Sequence, residues 1–104
     1  MKASTVRVAE VNAAAIDHYK AMRGALLEGS DEDRLLCEIV VTAQLALLGH
    51  EVPFRIHAIR LFGLGVSRER LERVILAGIG VTLVLPQAAL VLDWIEAAQR
   101  EHAA

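Results

Sequence analysis

The chain has 104 residues, enough for one domain with one real core. Its hydrophobic fraction is 55% and its mean hydropathy +0.42, so it carries more apolar surface than one small core hides. A net charge of -2, acids and bases mixed along the chain, and only one Trp, one Tyr and two Phe exclude a basic nucleic-acid surface with stacking aromatics. The surplus apolar surface points to an oligomer interface or a membrane. Cys37 is the single cysteine, which excludes an internal disulfide and fits a reduced, cytoplasmic compartment. Met1-Lys2-Ala3-Ser4-Thr5 leads into alternating charged and apolar residues and lacks the apolar run of a secretion signal.

Ser4 or Thr5 is placed to cap a first helix. Val8, Val11, Ala15, Tyr19, Met22 and Leu26 recur at steps of three and four. That spacing predicts one apolar stripe on a helix of about six turns, Thr5 to Glu28. Tyr19 and Met22 read as core. Asp17, Lys20 and Arg23 lie off the stripe and read as solvated, and His18 beside it as surface.

Gly29 stops this helix, and Ser30 with Asp33 three residues on makes a capping-box-like start for the next. Asp31, Glu32 and Asp33 complement the positive end of its dipole, so the acidic cluster needs no metal. The second helix, Asp31 to Leu48, is apolar nearly all round, with Leu35, Leu36, Ile39, Val40, Val41, Leu45, Leu47 and Leu48. That pattern predicts a central helix covered by others. Thr42 and Gln44 can bond to backbone or neighbours. Cys37 reads as a small buried apolar side chain. Glu38 is different: burying an anion there is expensive, so it sits at the rim, is paired, or is protonated. The nearest partners in sequence are His50, Arg55 and His57, and both a structural ion pair and a functional carboxylate remain open.

Gly49 ends the second helix. The third starts between His50 and Pro53, where proline removes no helical hydrogen bond, and runs to Gly63 or Gly65. His50, Pro53 and His57 share one face. Two turns separate the histidines by about 10 Å, too far to share one metal, so no metal or other cofactor is expected. His57 on its own could equally be a core histidine donating to a carbonyl. Glu51 and Arg55, four residues apart, read as a surface ion pair.

Ser67 is the natural cap of a fourth helix, whose first half, Arg68 to Arg73, is solvated. Val74 to Leu92 then runs nineteen residues without a charge, long enough to suggest a membrane span. Pro86 and Gln87 lie inside it, Gly78 and Gly80 weaken it, and its charged flanks continue as amphipathic helices. Pro86 is better read as the first turn of a fifth helix that buries Leu90, Val91, Trp94 and Ile95 and turns Asp93, Glu96, Arg100 and Glu101 outward. The expectation is an all-α fold: a single compact domain of about five helices with no membrane span. Runs such as Ile39 to Val41 and Val81 to Leu85 suit strands by composition, but they are embedded in helical-period segments.

Glu38, then His50-Glu-Val-Pro53-Phe-Arg-Ile-His57, then Gly65 and Ser67 and the acidic-apolar helix after them resemble the carboxymuconolactone decarboxylase and alkylhydroperoxidase D superfamily. The resemblance covers roughly residues 30–98. It implies an all-helical domain in which a glutamate on one helix faces a histidine on the next, and a homo-oligomer, trimer or hexamer. The peroxidase branch has Cys-x-x-Cys-x-x-x-His ending on this histidine. Here His50 and Pro53 occupy the cysteine positions, and a thiol route needs one thiolate to attack and a second thiol to resolve. The sequence therefore looks closer to the decarboxylase branch, without thiol peroxidase activity. Val84-Leu85-Pro86 keeps the proline of the family's Gly-x-Pro step and loses the glycine. The resemblance implies acid/base chemistry on a small carboxylated, lactone-type substrate. His57 is the expected acid/base, Glu38 its partner, His50 an auxiliary donor, and Arg55 or Arg60 an anion clamp. A non-catalytic oligomeric scaffold or small-molecule binding protein of the same fold, and a membrane-associated protein using Val74 to Leu92, are the competing expectations.

Overall fold

Local signals place most of the helix ends. In the computed structural model, which describes residues 2–104, six helices follow one another: α1 Ser4–Ala9, α2 Ala13–Leu26, α3 Asp31–Leu48, α4 Glu51–Gly63, α5 Arg68–Leu76 and α6 Leu85–Ala103. Among the described residues there is no strand; Ile79 and Leu83 form one isolated bridge. The fold is all-α. The Ser30 hydroxyl accepts the Asp33 amide of α3, and the Ser67 hydroxyl accepts the Arg70 amide of α5, each at 3.1 Å. Gly49 takes the left-handed conformation, φ 75°, that lets its own amide and that of His50 return to the Ala46 and Leu45 carbonyls and close α3.

The uncharged run from Val74 to Leu92 is broken between α5 and α6. The Gly78 carbonyl accepts the amides of Val81, Thr82 and Leu83, and a Cβ at residue 78 would lie 2.8 Å from the Thr82 hydroxyl. Among the described residues, no helix is long and apolar enough to cross a membrane. Pro86 sits in the first turn of α6, as its fixed φ favours.

The core is built on α4, which lies between α3 and α6, with α5 against α6. Phe54, Ala58 and Leu61 of α4 meet Val91, Ile95 and Ala98 of α6, all fully buried. The Phe54 and Trp94 rings meet tilted, with centroids 5.8 Å apart. Polar ties surround this core. Arg55 of α4 reaches Glu51 at 3.1 Å and Glu101 of α6. Arg68 donates to Gln99 at 2.9 Å, and Gln87 donates to the Ala46 carbonyl at 3.0 Å.

Several sequence expectations need correction. The first helix is two, because the Asn12 side chain takes the Ala15 amide at 3.0 Å and caps α2 after a turn at Glu10 and Val11. Ser4 and Thr5 lie inside α1, whose N-cap is Ala3. Val8, Val11, Tyr19, Met22 and Leu26 are exposed, so Tyr19 and Met22 are not core; Ile16 is the buried residue of this segment. The central helix is α4, not α3. Only Thr42 and Ala46 of α3 are buried, because α3 is covered along one side alone. Cys37 is exposed, and Leu90 is half-exposed on α6.

Candidate functional site

The tight link at Gly49 and His50 folds α4 back along α3. Residues nineteen apart are thereby brought face to face, and the His57 ring Nδ1 meets Glu38 Oε1 in a hydrogen-bonded pair. Both side chains are mostly buried, Glu38 12% and His57 19% exposed. Behind Glu38 the Thr42 hydroxyl donates to the Glu38 carbonyl at 2.7 Å, which satisfies the one buried polar side chain of α3.

The hydrogen bond from His57 holds the Glu38 carboxyl below the usual glutamate range. Partial burial pushes the other way, and the charges of His57, Arg60 and Arg23 add to the lowering. Glu38 is therefore held in its ionised form. Its carboxylate fixes the proton on Nδ1, so Nε2 is left as the working nitrogen: a base when the ring is neutral, an acid when it is protonated. Nε2 makes no hydrogen bond to another described group.

The pair sits in the wall of a cleft between α2 and the α3–α4 pair, and Glu38 also borders a second, adjoining cleft along α3 and α4. The smaller, about 290 Å³, contains His57 and Glu38 with Lys20, Arg23 and Arg60; the larger, about 700 Å³, contains Glu38 and Arg60 with Asp31 and Arg34. Leu27, Glu38 and Arg60 are common to both.

Three of the five expected site residues meet here: Glu38, His57 and Arg60. His50 is the exposed N-cap of α4 and lines neither cleft, and Arg55 is turned toward α6 and engaged by Glu51 and Glu101. Lys20, read as solvated, is exposed, and Arg23, read likewise, is half-buried; both also line the smaller cleft. The signal that finds them is an alternative face of α2: Ile16, Lys20, Arg23 and Leu27 recur at steps of four, three and four, two apolar residues bracketing two cations. Among the described residues, no cluster of three or more His, Cys, Asp or Glu side chains is arranged to hold a metal.

No family model, curated protein or solved structure matches this chain.

Proposed function

We propose that this protein is a cysteine-pair-less relative of the carboxymuconolactone decarboxylases, carrying out acid/base proton transfer on a small carboxylated, lactone-type substrate. The observation that supports this reading is the Glu38–His57 pair in the wall of a cleft that also holds Arg60. The chemistry follows from the groups present. Loss of carbon dioxide breaks the bond between the substrate carboxylate and its carbon. The electron pair stays on that carbon and spreads onto the lactone carbonyl as an enolate. His57, protonated at Nε2 and steadied by the Glu38 carboxylate at Nδ1, gives its proton to the carbon and regains one from solvent. A guanidinium at Arg60 offers a bidentate partner for carboxylate oxygens. The two-cysteine peroxidase route is not available to Cys37, which has no second cysteine in the chain.

The test is turnover of carboxylated lactones, followed by carbon dioxide release and by deuterium uptake at the product carbon in heavy water. His57→Gln is expected to lower kcat by about a hundredfold or more, the usual contribution of a positioned acid. Unchanged turnover in that variant would sink the assignment. Dithiol-dependent reduction of a hydroperoxide would sink the claim that thiol chemistry is lost.

The reading includes self-association, supported by the exposed apolar side of α3, where Leu36, Val40, Leu47 and Leu48 face outward. Its expected forms are a trimer or a hexamer. Sedimentation equilibrium reads the mass directly, and a monomer across micromolar concentrations would remove this part of the proposal.

A further inference from the structure

Lys20 and Arg23 reach the smaller cleft from α2, and Arg60 reaches it from α4; Glu38 is the one carboxylate in the wall. Three permanent cations against one anion leave an excess of two positive charges in a chain whose net charge is -2. Among the described residues, none of the three is in an ion pair, whereas Arg7, Arg55, Arg68 and Arg100 each hold a carboxylate. Two of them bear on Glu38, which Arg60 and Arg23 both help to keep ionised.

The attachment of α2 is the second observation. Nothing in α1 is buried, Ile16 alone is buried in α2, and the smaller cleft lies between α2 and the α3–α4 pair. Few apolar contacts hold this unit down, which places it at the low-stability end of the molecule. When the cleft is empty, cations on α2 and on α4 repel across it.

We propose that Lys20, Arg23 and Arg60 form a site for a small dianion, and that the bound dianion clamps the α1–α2 unit onto α3 and α4. Guanidinium forks suit the paired oxygens of a dicarboxylate or of a phosphate, and the shared chemistry is two negative charges within one small ligand. A bound dianion cancels the excess charge and turns the repulsion across the cleft into attraction from both sides. The inference rests on the proposed reading in one respect, that substrate charge is held in this cleft, but it is tested by binding rather than turnover.

The experiment is calorimetric titration of the full chain with malonate and, separately, with inorganic phosphate, at constant ionic strength against chloride. Amide hydrogen exchange over residues 13–26 is read in parallel. Saturable binding of either anion with slower exchange in α2 is the expected result, and the tighter of the two identifies the source of the charge. Lys20→Gln, Arg23→Gln and Arg60→Gln each weaken binding by about ten- to a hundredfold, the range for one charge-assisted hydrogen bond. Arg34→Gln, in the larger cleft alone, leaves binding unchanged. Binding no stronger than chloride, equal binding by the Lys20 and Arg23 variants, or unaltered exchange in α2 overturns the inference. Lys20 and Arg60 are both exposed, so neither substitution removes a buried contact and loss of binding in either is not loss of the fold.

Discussion

Glu38 carries the clearest electrostatic signature in the molecule. His57 and Arg60 face it from α4 and Arg23 from α2, and its folded-state pKa is depressed below the ordinary 4.5, first by the His57 hydrogen bond. A depressed carboxylate stabilises the fold above its unfolded pKa, and that contribution disappears as pH falls through the folded value. Wild-type stability should therefore fall with acid below about pH 4.5, and Glu38→Gln should lose the part of that slope due to residue 38. Urea midpoints at a series of pH values measure it. The two proteins converge at low pH if the argument holds; a gap that stays constant down to the lowest pH refutes it. The pairing was legible as a demand, since a carboxylate in so apolar a helix needs a partner, and His57 was among the three partners named. The loss of His50 and Arg55 from the site was not legible. Arg55 is drawn away by Glu101, forty-six residues on, and nothing local to Arg55 announces that contact.

At the scale of the elements, what was legible was local. Ser30, Ser67, Gly49 and Pro86 act within one turn of chain, and all four mark helix ends at or next to the expected positions. The orientation of α2 was not, because the apolar stripe through Ala15, Tyr19, Met22 and Leu26 is one residue, about 100°, from the face through Ile16, Lys20, Arg23 and Leu27. Hydrophobic periodicity selects the more apolar face, and here the inward face is polar because it borders a cleft. Two glycines test the helix-end argument in opposite directions. At Gly49, φ is 75° and an added Cβ meets only the Gln87 amide at 3.8 Å, so Gly49→Ala has room but adopts a left-handed conformation. Denaturant midpoints should show a loss of about 1–2 kcal/mol. Gly24 lies inside α2 with nothing within 4 Å of an added Cβ. Gly24→Ala should stabilise α2 by up to about 1 kcal/mol, seen as slower amide exchange over residues 13–26. A destabilising Gly24→Ala would mean that its open face is covered in solution.

For the whole molecule, composition announced a surplus of apolar surface; it is spread over the chain, and one ordered part of it lies on α3. Leu36, Val40 and Leu47 stand at i, i+4 and i+11, within about 40° of one another around α3. They are 59%, 46% and 44% exposed. No charged side chain interrupts α3 between Ile39 and Leu48, so two copies can approach along this stripe without stranding a charge. Under the proposed self-association, an identical stripe on a second copy would supply the complementary surface in a symmetric contact. Burying such a side chain is worth about 1.5–3 kcal/mol, so losing two of them matters to assembly far more than to the isolated fold. Leu36→Glu with Val40→Glu should therefore lower the mass seen by light scattering to that of one chain. The helical circular dichroism should survive, because neither side chain belongs to the core around Phe54 and Ile95. If the doubly substituted protein unfolds instead, the stripe is supporting the fold of the single chain. If the wild-type chain is already monomeric, the surplus apolar surface serves something other than self-association.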